Sequence, residues 1–184
     1  MARTPSNMIQ LGSFAPNFQL PATNFSGTYT YNDCRGKKGT LVSFICNHCP
    51  YVHHIIEELV RISNDYHVQG IGFVAISSND IEKYPEDSPE KMTDFALENK
   101  IDFPYLFDQT QQVAKDYQAA CTPDFFLFNS QNELVYRGQM DDSRPGNQIP
   151  INGHDLRTSI DAILYNRATI KNQKPSIGCN IKWK

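Results

Sequence analysis

The chain predicts an α/β domain in which helices cover a central sheet, and three segments carry that expectation. Thr40-Leu41-Val42-Ser43-Phe44-Ile45 is an apolar run that reads as a buried strand. The stretch behind it, Pro50 to Tyr66, has helical periodicity, and Phe73-Val74-Ala75-Ile76 returns as a second buried strand. Continuous rather than alternating apolar runs suit burial on both faces. Two such strands joined through a helix are expected to be parallel, with a right-handed crossover.

The remaining elements follow in order. Residues 1–16 read as irregular, punctuated by Pro5, Gly12 and Pro16. Phe18–Leu20 and Thr28–Tyr31 are candidate short strands around a turn at Ser26-Gly27. Asn32 to Gly39 reads as a loop and turn into the first buried strand. In the helix from Pro50, Val52, Ile55, Ile56, Leu59 and Ile62 recur at three- and four-residue spacing and form one apolar stripe. Ser77 to Pro89 is polar and holds Pro85 and Pro89, which allows at most one helical turn. Ser88 is a good N-cap, with Pro89 in the first helical position and Glu90 in the first turn, for a helix running to about Lys100. Tyr105–Phe107 is a short strand and Gln111–Tyr117 a short helix. Phe125–Phe128 and Glu133–Tyr136 form a hairpin through Asn129-Ser130-Gln131-Asn132. Asp155–Ala168 is the last helix, with an irregular tail over 169–184.

With 184 residues, 40% hydrophobic and 20% charged, the chain suits a single domain over 1–184 with its own core. A net charge of -3 gives no reason to expect nucleic acid or an anionic membrane as partner. No apolar stretch approaches the roughly 20 residues that span a bilayer. The first residues lack the apolar core of a secretory signal, so the expectation is a cytoplasmic protein. Five cysteines are too few, and odd in number, for a disulfide framework.

Cys46-Asn47-His48-Cys49 carries the chemistry. Two thiols three positions apart can join in a disulfide. At a strand-to-helix junction they lie near free N–H groups and the positive end of the helix dipole, which favour a thiolate. The thiolate is the form that attacks disulfides. Zinc is the alternative, because His48, His53 and His54 are near, although no second pair of ligands follows at finger spacing. An inert pair of buried cysteines is the other. Far along the chain, Thr122-Pro123 stands immediately before the apolar strand.

A strand, a Cys-x-x-Cys opening a helix, and a Thr-Pro leading into a hairpin resemble the thioredoxin fold. Gly12-Ser13-Phe14-Ala15-Pro16-Asn17-Phe18-Gln19-Leu20 is similar to the opening shared by peroxiredoxins and related thioredoxins. Ser77-Ser78-Asn79-Asp80, Asp102 to Asp108, Pro50-Tyr51-Val52 and the ending Gly178 to Trp183 extend the likeness from Gly12 to Trp183. The chain thus resembles the peroxiredoxin-like branch of the thioredoxin family. The implied fold is a mixed central sheet flanked by helices, decorated as in peroxiredoxins and glutathione peroxidases. The resemblance implies a cis bond before Pro123, with Thr122 offering its backbone to an extended substrate.

Two functions follow from the resemblance. In a thiol–disulfide oxidoreductase, Cys46 would attack and Cys49 would resolve, acting on protein or small-molecule disulfides. Asn47, His48 and Pro50 would tune the pair, and a protonated His48 would stabilise the thiolate. In a thiol peroxidase, Cys49 followed by Pro50 would attack peroxide, Cys46 would stand where the family has threonine, and Arg137 is the candidate cation beside the thiolate. A zinc-holding or redox-silent binding module is the third reading. No organic cofactor is implied, and a thioredoxin- or glutaredoxin-type reductant would close the cycle. Cys121 would lie within reach of the dithiol, with packing as its expected role. Cys179 could fold back to the sheet edge or pair with another thiol, and Cys34 is expected to be incidental. His53 and His54 read as solvated or helix-packing residues.

Overall fold

The computed structural model describes residues 3–184. In chain order the elements are β1 (Arg3–Pro5), β2 (Gln19–Pro21), β3 (Thr28–Thr30), α1 (Tyr31–Cys34), β4 (Gly39–Phe44), α2 (Pro50–His67) and β5 (Ile71–Ser77). A 3-10 turn (Pro85–Asp87) precedes α3 (Pro89–Glu98), β6 (Tyr105–Phe107) and α4 (Gln112–Asp116). Then come β7 (Cys121–Thr122), β8 (Asp124–Asn129), β9 (Leu134–Gly138), α5 (His154–Leu164) and β10 (Ile177–Asn180).

The central sheet has the order β6-β5-β4-β8-β9. β4 and β6 flank β5 in parallel, whereas β8 runs antiparallel to both β4 and β9, so the sheet is mixed. Every residue of β4 and β5 is buried, as their apolar runs require. One face packs on α2, α3 and α5, through Leu59, Ile62, Phe95, Leu156 and Ile160. The other is covered by α1 and α4, through Tyr31, Cys34, Val113 and Tyr117. The dithiol belongs to the first face.

The helix starts follow the local chemistry. Ser88 caps α3 by accepting the Lys91 N–H, and Pro50 and Pro89 occupy first-turn positions where a missing N–H costs nothing. The strand expected over Thr28–Tyr31 ends at Thr30. Thr30 and Asp33 cap one another reciprocally, which turns the chain into the single helical turn α1 and places Cys34 in the core. The last helix ends at Leu164 rather than Ala168, where Asn166 adopts a left-handed conformation.

Two larger differences concern the termini. The tail expected to be irregular over 169–184 contains β10, and the irregular N-terminus contributes β1. β10 lies between β1 and β7 as an antiparallel strand, with Arg3 opposite Cys179 on one side and Cys179 opposite Thr122 on the other. Neither segment has the length or alternation that marks a strand in sequence; each is ordered by a neighbouring backbone edge. Gly178 makes the approach possible, since a Cβ there would lie 2.0 Å from the Thr122 carbonyl oxygen.

Candidate active site

β4 and α2 deliver the two cysteines. β4 is held between β5 and β8, with Phe44 opposite Asp124, and the chain leaves the sheet through Ile45, whose N–H reaches the Ile76 carbonyl at 3.0 Å. Cys46 follows. Cys49 is the N-cap of α2, and its carbonyl accepts the Val52 and His53 N–H groups at 2.9 and 3.0 Å. Pro50 is the first helical residue and lies exposed. Both cysteines are free thiols and share one buried cluster.

Thr122 touches both. Its hydroxyl lies 3.3 Å from Cys46 Sγ, and its carbonyl oxygen 3.1 Å from Cys49 Sγ. The Thr122–Pro123 peptide is cis, as the resemblance implies. Sequence positions 76 residues apart thus meet at one site. Both cysteines are closed off from solvent, at 1% and 0% exposure.

The Asn47-His48 spacer is fixed by Asp87, at the end of the 3-10 turn. Asp87 Oδ1 accepts the Asn47 N–H at 2.8 Å and the His48 N–H at 3.3 Å. Its Oδ2 meets His48 Nδ1 at 2.6 Å and accepts from Asn79 Nδ2 at 2.7 Å. Asn47 is bound on every side. Its Nδ2 donates to the Glu86 carbonyl at 2.9 Å, and its Oδ1 accepts from the buried Tyr105 hydroxyl at 3.0 Å. The His53 ring reaches its carbonyl at 2.6 Å. Tyr84 stacks on His48 with ring centroids 5.5 Å apart and an angle of 8°, and Lys182 Nζ lies 5.6 Å from the Tyr84 ring.

These contacts set the charges. The hydrogen bond to Asp87 raises the His48 pKa above its ordinary 6.5, against the effect of burial. Burial pushes the Asp87 carboxyl up, but donation from His48, Asn79 and the Asn47 backbone outweighs it and holds the group below 3.8. The dithiol is polarised. The Cys46 thiol is pushed well up, first by its hydrogen bond to Cys49, then by burial and the Asp87 charge. The Cys49 sulfur is drawn down, first by donation from Cys46 and then, against burial, by donors on Cys179 and Thr122. With both thiols protonated, Cys49 donates to the Thr122 carbonyl; on ionisation that carbonyl opposes the charge, but the converging donors outnumber it. The surroundings thus favour the charged form more at Cys49 than at Cys46, whereas the resemblance implies attack from Cys46.

The other residues named from the sequence have partners of their own. Arg137 directs its guanidinium to the Met8 and Ile9 carbonyls and to Gln173, so the cation expected beside a peroxidatic thiolate is engaged away from the dithiol. Cys121 is buried with its sulfur toward the Pro123 carbonyl at 3.5 Å, and burial raises its pKa. His54 meets Ser143 Oγ at 2.8 Å. His53, in addition to packing edge-on against Phe95, ties down the spacer.

Sequence reasoning missed Asp87, Tyr84 and Tyr105, whereas Cys179 does fold back onto a strand edge, one of its two expected placements. The first two sit in the polar loop 77–89, where nothing in residue type separates a ligand of the spacer from a solvated residue. Cys179 in β10 turns its thiol and backbone N–H toward the Cys49 sulfur. Cys46, His48 and Asp87 form the one cluster of three metal-ligating side chains among the described residues, with donor atoms within 4.8 Å of one another. The His48–Asp87 hydrogen bond already engages two of these three donors.

Fold and site define a thioredoxin-like protein of the peroxiredoxin-like kind, and its class is redox. The sequence profile of the AhpC/TSA family matches residues 11–137, and the chain belongs to that family. Among curated proteins none matches. Two crystal structures are similar over nearly the whole chain. An uncharacterized conserved protein from Geobacillus kaustophilus is 52% identical, with a TM-score of 0.98, covering 100% of this chain and 97% of that one. A hypothetical protein from Sinorhizobium meliloti is 45% identical, with a TM-score of 0.95 and 98% of each chain covered. The thioredoxin domain of a thiol-disulfide oxidoreductase from Bacteroides vulgatus is 19% identical with a TM-score of 0.59, covering 70% of this chain and 88% of that one, a likeness of fold. No helix among the described residues is long and apolar enough to cross a membrane.

Proposed function

We propose that the protein is a thiol–disulfide oxidoreductase working through Cys46 and Cys49 on protein or small-molecule disulfides. The supporting observation is that both sulfurs lie against Thr122, one on its hydroxyl and the other on its carbonyl. In the reducing direction a thiolate of the pair attacks one substrate sulfur, the substrate S–S bond breaks, and the other substrate sulfur leaves as a thiolate. The second cysteine then attacks the mixed disulfide. The substrate departs as two thiols and the protein keeps a Cys46–Cys49 disulfide. A thioredoxin- or glutaredoxin-type dithiol would reduce it again, as expected of a cytoplasmic protein.

Insulin reduction by the full chain tests this, with single Cys46→Ser and Cys49→Ser variants. Both should lose turnover, and the variant that keeps the attacking thiol should hold a mixed disulfide. Full turnover in either variant overturns the reading. Stoichiometric zinc in freshly purified protein, with no disulfide chemistry, would favour the metal-holding reading instead.

A peroxidase working through Cys49 is the second reading, favoured by the donors that converge on that sulfur. Against it, Cys46 stands at the position of the threonine that the family resemblance leads one to expect, and Arg137 is engaged elsewhere. Positioned donors supply a large part of transition-state stabilisation. Rapid-mixing oxidation of the reduced protein by hydrogen peroxide separates the two, being fast only for the peroxidase.

A further inference from the structure

β10 lies along the edge that an extended substrate would use. It pairs antiparallel with β7, with Cys179 opposite Thr122 and Asn180 opposite Cys121. The resemblance assigns that edge to a substrate docked by strand addition, in which main-chain bonds give affinity and an alternate side chain reaches the reactive group. Here the strand is the protein's own. Gly178 closes to contact with Thr122, and the next residue turns a sulfur toward Cys49. Cys179 is buried, at 2% exposure, in the same core cluster as Cys46 and Cys49. Beyond it the tail stays fastened, because the Lys182 N–H donates to Asn79 Oδ1 at 2.8 Å, and Asn79 also bonds Asp87.

We infer that Cys179 is a third redox thiol of the site, occupying the place of a substrate sulfur and exchanging with the Cys46–Cys49 disulfide. The inference rests on the dithiol reading for the origin of that disulfide, whose oxidant is the substrate disulfide. The step is an internal exchange. The Cys179 sulfur attacks Cys49 Sγ, the Cys49–Cys46 bond breaks and a Cys49–Cys179 bond forms. Cys46 leaves with the electron pair and receives the proton that Cys179 gives up, so no external oxidant or reductant enters. The product carries the oxidation on a pair that ties β10 to α2 and leaves Cys46 as a thiol. Cys121 is the neighbouring sulfur on the same edge, but its thiol is aimed at the Pro123 carbonyl, away from this exchange.

The test uses the full chain, reduced, then equilibrated with oxidised glutathione, quenched with acid and alkylated, with linked peptides identified by mass spectrometry. Wild type should yield both Cys46–Cys49 and Cys49–Cys179 linkages. Cys46→Ser, and Cys46→Ala as an alternative should the first fold poorly, should convert to Cys49–Cys179. Removing Cys179 as well should raise glutathione bound at Cys49 at least tenfold, since the internal thiol no longer displaces it. If wild type forms Cys46–Cys49 but the Cys46 variants accumulate glutathionylated Cys49 and no Cys49–Cys179, the third-thiol inference is wrong and the dithiol reading stands. If Cys49–Cys179 forms and Cys46–Cys49 does not, the dithiol reading falls and the internal exchange falls with it. If neither forms, both fall.

Discussion

The Thr122 hydroxyl lies 3.3 Å from the Cys46 sulfur, across 76 positions of sequence. The same hydroxyl holds the pKa of both cysteines lower than it would otherwise be. Thr122→Val keeps the shape and removes the donor. A hydrogen bond to a charged group is worth about 1.5–3 kcal/mol. Losing it destabilises the reduced, thiolate-bearing state, so the Cys46–Cys49 potential should become more negative by roughly 30–60 mV. Equilibration against glutathione buffers measures this. An unchanged potential would mean that the hydroxyl only fills space.

His48 and Asp87 form a pair with a defined pH window. The folded His48 pKa is above 6.5, so its contribution is complete below that value and is lost as pH rises through the folded pKa. The folded Asp87 pKa is below 3.8, so its contribution is complete above that value and is lost as pH falls through the folded pKa. Together they stabilise most between pH 3.8 and 6.5. Asp87→Asn should therefore destabilise by about 1–3 kcal/mol near pH 5, with the deficit narrowing in alkaline solution. Urea unfolding at several pH values reads the difference; a deficit independent of pH would contradict the ion pair. His48→Ala should also shift the reduction potential, and no shift would remove His48 from the tuning of the dithiol.

Much of this was legible in the sequence. The apolar run ending at Ile45, the helix stripe from Val52 to Ile62 and the buried strand at Phe73–Ile76 locate the central parallel pair, because burial on both faces leaves an unmistakable pattern. Cys46, Cys49 and Thr122 were named from spacing and resemblance, and the fold brings them into contact. Asp87 was not legible, since its role depends on where a proline-rich loop happens to cross the spacer. β10 escaped for a related reason: four residues, Ile177–Asn180, become a strand only because β1 and β7 offer edges on either side. The distribution of charge between the two sulfurs was hidden as well, because three of its donors come from the tail and from Thr122.

Asp124 is fully buried one residue after the cis proline, and burial pushes its pKa up to about 8. Its Oδ2 accepts the Ala120 N–H at 3.2 Å, while Oδ1 has no hydrogen-bond partner among the described residues. With a folded pKa raised above 3.8, its contribution is complete below 3.8 and is lost as pH rises through about 8. Asp124→Asn retains the acceptor without the charge. Its stability relative to wild type should therefore rise from pH 5 to about pH 8 and level off above it. Parallel denaturation curves at the two pH values would refute this assignment.

Gly178 sets how closely β10 lies on β7. A Cβ there would sit 2.0 Å from the Thr122 carbonyl oxygen, so Gly178→Ala must lift β10 from β7. Since Cys46 and Cys49 are 1% and 0% exposed with β10 in place, their alkylation by iodoacetamide should accelerate at least tenfold. The rate is followed by intact mass. Equal rates in wild type and variant would show that something other than β10 shields the sulfurs.

The most direct test of the account is the redox titration of the Cys46–Cys49 pair itself. Wild-type protein equilibrated over a series of glutathione potentials, acid-quenched and alkylated, should pass through a two-electron transition in which the Cys46 and Cys49 thiols disappear together. The linked peptide should carry the Cys46–Cys49 bond, and the transition should vanish in Cys46→Ser/Cys49→Ser. Persistence of both thiols across the whole range, or loss of one without the other, would contradict a dithiol redox centre.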